Sequence, residues 1–278
     1  MPQARRRSSE REQQRQGSDL VARILVAVPA AALTLVLIHL GGWAWALFMI
    51  AVGWACLVEL YGLLARWRPS ALVGMGATAA IVIVARYGTR GDILEVAVIT
   101  VPILFLVVVA RGQGHVTTAI AATLLGVYWI GFAVGHGELL RRLPHGNGVI
   151  IDILIGTFLA DTGAYLGGRL FGRRPLAPTI SPNKTVEGLI IGMLVAIVSV
   201  FLAGGFQAWL TQTDAVFLGL AVAILGPIGD LFESAIKRDA GVKDAGRLFG
   251  PHGGVLDRAD AALFTIVGGY YVWLALLH

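Results

Sequence analysis

Lys237, Arg238, Lys243, Asp244, Arg247, His252, Asp257, Arg258 and Asp260 all fall between Ser234 and Asp260 of a chain that is otherwise oily, with long apolar runs on either side. Charges are costly beside a bilayer and persist there mainly where they have a task. Cations suit phosphates, carboxylates suit a hard divalent metal, and Gly253-Gly254 allows close approach of backbone to a ligand. Together they point to metal-assisted phosphate chemistry at a membrane surface. His252 sits between Pro251 and Gly253 on a tight loop, where a structural or substrate-bonding role competes with that of a general base.

Two further groups lie upstream. Asp161 interrupts an apolar run and shares a helical face with Tyr165 and Gly168 in Asp161-Thr-Gly-Ala-Tyr-Leu-Gly-Gly-Arg169. In the loop that follows, Ser181-Pro-Asn-Lys-Thr-Val-Glu-Gly188 offers Ser181, Lys184 and Thr185 as donors just before a helix, which suits either phosphate or a simple turn and cap closed by Glu187. Asp230, Glu233, Ser234 and Lys237 recur at i, i+3, i+4 and i+7 and therefore align on one stripe. Glu233 and Lys237 can pair along the helix; Asp230 then needs another cation, which a metal shared with Asp257 would supply. Glu59 and Asp152, each inside an apolar run, read as interhelical hydrogen-bond partners. The sequence contains no glycine-rich phosphate loop, no dinucleotide fingerprint and no Cys/His cluster for zinc.

The elements that must position these residues are membrane helices. The 278 residues are 56% hydrophobic and 14% charged, with a mean hydropathy of +0.76, whereas soluble domains carry roughly 25% charged residues. The apolar runs are long and continuous, so helices are expected and a β-barrel is not. Nine spans are expected, near 21–40, 43–64, 71–86, 92–110, 115–135, 149–170, 186–205, 214–236 and 259–277, giving an all-α polytopic fold. Residues 1–19 read as a disordered basic cytoplasmic tail, 20–148 as N-terminal transmembrane helices and 149–278 as the catalytic transmembrane region. With the N-terminus in the cytoplasm, 18 of the 22 Lys and Arg residues fall on the cytoplasmic side, as basic loops should. Both charged segments of the C-terminal half then face the cytoplasm. Cys56, the lone cysteine, reads as an inert packing residue.

The run from Ser234 to Asp260 resembles the signature of the phosphatidate cytidylyltransferases, or CDP-diacylglycerol synthases: Ser-x-hydrophobic-Lys-Arg, Lys-Asp, then Gly-x-His-Gly-Gly-hydrophobic-x-Asp-Arg-hydrophobic-Asp. One position departs, Ala259, where the family has a larger apolar residue or threonine. Asp161–Tyr165, Ser181–Thr185 with Glu187-Gly188, and Gly229–Ser234 resemble the family's motifs as well. The resemblance is strong over 150–278 and weak before it.

It implies the reaction CTP + phosphatidate → CDP-diacylglycerol + pyrophosphate in phospholipid biosynthesis, with Mg2+ as cofactor and a second cation left open. It also implies a helical homodimer in the bacterial inner membrane, with membrane lipid and no nucleic acid as partner. By similarity, Asp230 and Asp257 are the metal ligands. Lys237, Arg238, Lys243 and Arg258 hold phosphate oxygens, with Asp244 and His252 in the same catalytic set. Asp260 and Asp161 support the metal or order the cations. Ser181, Asn183, Lys184, Thr185, Ser234, Gly253 and Gly254 complete the substrate-binding set. A CTP-dependent polyprenol or phytol kinase is the runner-up, since such enzymes carry related Asp/Lys/Glu-Gly motifs. An ion-coupled transporter would show broken helices in two repeated halves, whereas the chemistry here is confined to the C-terminal half.

Overall fold

The computed structural model describes residues 28–112, 115–242, 244–246 and 253–277. Lys243, Arg247 and His252, together with the tail 1–19, lie outside them. The chain divides after Leu40 into two units. In the first, the described part is helix α1, Val28–Leu40, whose Thr34 hydroxyl donates back to the Ala30 carbonyl at 2.8 Å.

The second unit holds eight helices among the described residues: α2 Gly42–Leu63, α3 Ala71–Tyr87, α4 Arg90–Ala110, α5 Val116–Arg142, α6 Gly146–Phe171, α7 Val186–Gly204, α8 Gln212–Asp239 and α9 Leu256–Leu276. Their starts follow from local chemistry. Thr89 and Asp92 form a reciprocal capping box at α4, and Thr185 and Thr211 accept N–H bonds from Gly188 and Asp214 at the starts of α7 and α8. Within α5, Val127–Gly131 is wound as a π-helix. Pro227 lies inside α8.

Seven of these helices, α2 and α4 to α9, are long and apolar enough to cross a bilayer; α1 and α3 are shorter apolar helices. The protein is an all-α polytopic integral membrane protein. From α2 onward, helix boundaries fall within a few residues of the hydropathy reading except in α5, which continues to Arg142; the start of the first expected span, 21–27, lies outside the described residues. Large apolar side chains such as Leu94, Val98, Phe105 and Leu106 on α4 point outward, as they should where the solvent is hydrocarbon.

α6 packs on α7, α7 on α8 and α8 on α9, while α9 also meets α5 and α6. Small residues set these distances. An added Cβ on Gly163 or Gly167 would press into Val195 or Ile191, and one on Gly229 would lie 2.6 Å from the Asp260 carbonyl oxygen. Two polar contacts cross the interior: Asp152 accepts from Gln207 at 2.7 Å, and Arg86 pairs with Glu138 at 3.0 Å.

The loop between α6 and α7 contains strand β1, Pro175–Ala177, and strand β2, Ser181–Thr185, paired antiparallel. The hairpin is an addition to the expected all-helical pattern. Glu187 accepts the N–H groups of Arg173 at 3.0 Å and Arg174 at 3.2 Å. It therefore closes the base of the hairpin, while Thr185 caps α7.

Candidate active site

α6, α7, α8 and the hairpin enclose a cavity of about 540 Å3. Its floor is made of small and apolar groups, among them Ala160, Gly192, Ala223 and Gly226. From Arg169 at its upper end to Thr157 at its base, α6 runs about 18 Å at 1.5 Å per residue, roughly half the thickness of a bilayer's hydrocarbon core. The polar groups gather at the hairpin end: Asp161 from α6, Asp230 from α8, and Ser181, Asn183, Lys184 and Thr185 from β2.

Lys184 forms an ion pair with Asp230, and Asp161 lies within electrostatic range of both. Arg169 and Tyr165 also line the cavity. The sequence reading placed Tyr165 on the Asp161 face but passed over Arg169; the signal was its position one further turn along that face.

A second cluster adjoins the first where α8 meets α9. Lys237 Nζ lies 2.7 Å from Glu233 Oε2 and 2.8 Å from Asp257 Oδ1. Asp257 accepts N–H bonds from Ala245, at 3.0 Å to one oxygen and 3.1 Å to the other, and from Gly254 at 2.7 Å. Gly253 adopts φ +83°, and an added Cβ there would meet Asp257 Oδ2 at 2.8 Å. Glu233 is buried and its second oxygen has no hydrogen-bond partner. Asp260, also buried, accepts from the Ala261 N–H at 2.8 Å and lies in the electrostatic range of Glu233, Asp230 and Asp161. Ser234 is buried on α8, whereas Asp244 and Arg258 are exposed beside the loop.

Arg238 joins the loops. Its Nε donates to the Ile180 carbonyl at 3.0 Å and its Nη1 to that of Val242 at 3.3 Å. The last turn of α8 is thereby tied to the turn of the hairpin, and both charged segments stand at one end of the bundle.

The expected pairing of Asp230 with Asp257 takes a different form. Each carboxylate holds its own ammonium group, Lys184 on Asp230 and Lys237 on Asp257. Among the described residues no three His, Cys, Asp or Glu side chains converge as a ready-made metal site. The donor set nevertheless fits a hard cation. Asp161, Asp230, Glu233, Asp257 and Asp260 surround two lysines, and each aspartate of the expected pair already binds a positive charge. Glu59 and Asp152 do not line the cavity; Glu59 makes the interhelical hydrogen bonds expected of it, at the start of α9, whereas Asp152 bonds Gln207 in the loop between α7 and α8.

The protein thus combines a polytopic helical membrane fold with an interhelical cavity rimmed by lysines and carboxylates, an arrangement suited to binding phosphate groups. The profile of the cytidylyltransferase family matches residues 21–276, and the chain belongs to that family. It is 33% identical over 262 residues to the phosphatidate cytidylyltransferase of Brucella suis biovar 1, covering 91% of this chain and 95% of the relative. It is 33% identical over 163 residues to that of Mycobacterium bovis, covering 59% of this chain and 53% of the relative. Against Escherichia coli YnbB it is 34% identical over 188 residues, 64% of this chain and 63% of the relative. The chain spans about half the length of the mycobacterial relatives it matches.

Proposed function

We propose that this protein is a phosphatidate cytidylyltransferase, a nucleotidyltransferase that converts CTP and phosphatidate to CDP-diacylglycerol and pyrophosphate. One observation carries the reading: a largely apolar cavity, about half as deep as a bilayer's hydrocarbon core, ends at the Lys184–Asp230 pair, beside the Lys237–Asp257 pair. A lipid phosphate with its glycerol and upper acyl carbons suits that polarity gradient, and a triphosphate suits the basic rim.

The phosphate monoester of phosphatidate is already an anionic nucleophile near neutral pH, so no strong base is required. One of its oxygens attacks the α-phosphorus of CTP; a P–O bond forms as the bond to the β-phosphate oxygen breaks, and pyrophosphate leaves with the electron pair. The protein's task is to bring two anions together and hold them in line. Lys184, Lys237, Arg238, Lys243 and Arg258 bind phosphate oxygens, with Ser181 and Asn183 orienting the substrate at the hairpin. The charges of Lys184 and Lys237 are pre-ordered by Asp230, Glu233 and Asp257, so little reorganisation of those two side chains remains for the reacting complex. Asp230 and Asp257 would hold Mg2+, supported by Asp161 and Asp260, and the ion would supply charge neutralisation on the triphosphate and the leaving group.

The site faces the cytoplasm of a bacterial inner membrane, with the N-terminus on the same side and the chain acting as a homodimer. The basic-residue asymmetry supports that orientation, and the Arg238–Ile180 tie keeps the hairpin and the end of α8 on one face.

The test uses purified protein in detergent with Mg2+, cytidine-labelled CTP and phosphatidate. Label in the lipid fraction with an equal yield of pyrophosphate is expected. Release of CDP with a polyprenol acceptor would overturn the reading in favour of a lipid kinase.

A further inference from the structure

We propose that Glu59, on α2 in the N-terminal half, is a positioning residue that seats Gly246 and the backbone of Gly254, Val255 and Leu256, and with them the first turn of α9, beside Asp257. The inference rests on the reading of the signature loop as part of the cytidylyl-transfer site. Glu59 lies outside every motif that resembles the family signature.

Its carboxylate accepts the backbone N–H of Val255 at 3.1 Å on one oxygen and that of Leu256 at 2.8 Å on the other. These are the first donors of α9, and Val255 itself, at the N-cap position, has no side chain able to cap them. An anionic acceptor at a helix start is favoured twice, by the open N–H groups and by the helix dipole. Here the acceptor comes from another helix, 197 residues away in sequence from Leu256.

Two glycines of the loop are shaped to this contact. A Cβ on either Gly246 or Gly254 would collide with the Glu59 carboxylate. Backbone from both sides of residues 247–252 therefore lies directly on it. The same short stretch supplies the N–H groups of Ala245 and Gly254 to Asp257. The backbone that Glu59 grips is thus the backbone that orients Asp257, which in turn holds Lys237. One turn earlier on α2, the buried Cys56 lies in electrostatic range of Glu59, Glu233 and Asp260, so α2 approaches the acidic cluster from behind.

A positioning role separates from simple stabilisation by what changes and where. In the full-length protein, Glu59→Ala should lower kcat at least 30-fold while KM for CTP and for phosphatidate each stay within threefold. Amide hydrogen exchange of the peptide containing Val255 and Leu256 should quicken at least tenfold, with α4 and α7 unchanged. Glu59→Gln, which keeps an acceptor oxygen without the charge, should lose only three- to tenfold in kcat. Wild-type turnover and wild-type exchange in Glu59→Ala would overturn the proposal. So would a loss of protection spread over the whole bundle in both variants, which would make Glu59 a general structural pin. If the wild-type protein transferred no cytidylyl group, the proposed activity would fall while the exchange measurement still tested the contact.

Discussion

Arg238 donates its Nε hydrogen to the carbonyl of Ile180 across 3.0 Å and 58 residues of sequence. The bond pins the C-terminal end of α8 to the hairpin that carries Lys184, so neither charged segment can lie on the opposite side of the membrane from the other.

Surface labelling checks this. Thr179 and Asp239 are exposed on either side of the tie. Single cysteines there, with Cys56 replaced by alanine, should both react with an impermeant maleimide in inside-out vesicles and neither in right-side-out ones. Reaction from opposite faces would contradict the fold, and reaction of both from outside would reverse the orientation.

Lys237 bridges two carboxylates with its single charge. Lys237→Met would leave Glu233 and Asp257 facing each other without a cation in a low-dielectric setting, at a cost of about 3 kcal/mol or more. Thermal unfolding should move to lower temperature and turnover should fall over 100-fold. Adding Glu233→Gln should restore much of the stability and none of the activity. An active Lys237→Met enzyme would remove the residue from the site.

Asp230→Asn and Asp257→Asn address the metal. Each should reduce turnover at least 100-fold in folded, inserted protein, and excess Mg2+ should rescue poorly because an amide is a weak ligand for a hard cation. Turnover within threefold of wild type in either variant would take that aspartate out of the metal set.

Gly253 and Gly241 form a matched pair, with φ +83° and +73°. Alanine at either costs roughly 1 kcal/mol of backbone strain. At Gly253 the new Cβ also presses on Asp257, whereas at Gly241 it meets nothing within 4 Å. Gly253→Ala should therefore cut kcat tenfold or more while Gly241→Ala stays within twofold. Equal losses would mean that Asp257 is not held as described.

Much of this architecture was legible from hydropathy alone, because a bilayer forces apolar runs into helices of defined length. The i, i+4 pairing of Glu233 with Lys237 followed from helical period. The pairing of Lys184 with Asp230 did not. It joins a hairpin to a helix across the bundle, and no local pattern encodes which loop cation reaches a given carboxylate. The hairpin itself escaped notice because Ser181-Pro-Asn-Lys-Thr185 has no alternating apolar face; its pairing is closed by Glu187 on the Arg173 and Arg174 amides. Arg169 was hidden for a similar reason, since exposure to a cavity and exposure to water look alike in sequence. Glu59 was correctly read as a hydrogen-bonding residue, but its partners are backbone groups, which leave no mark in side-chain composition.

Pro227 gives α8 a built-in point of weakness. It contributes no N–H to the carbonyl four residues before it, that of Ala223, and so removes one rung of the helix three residues ahead of Asp230. Residues 228–239 can therefore tilt as a short lever at lower cost than any intact turn would allow. Glu233 and Lys237 ride on that lever together and keep their contact, whereas Asp230–Lys184, Lys237–Asp257 and the Arg238–Ile180 tie reach across to other elements and must loosen or follow as it swings. A tilt there would thus act on both cross-element ion pairs at once. Pro227→Ala should brace the lever and slow product release, seen as a pre-steady-state burst larger than the wild-type one; an unchanged burst and unchanged kcat would show that the lever does not move during turnover.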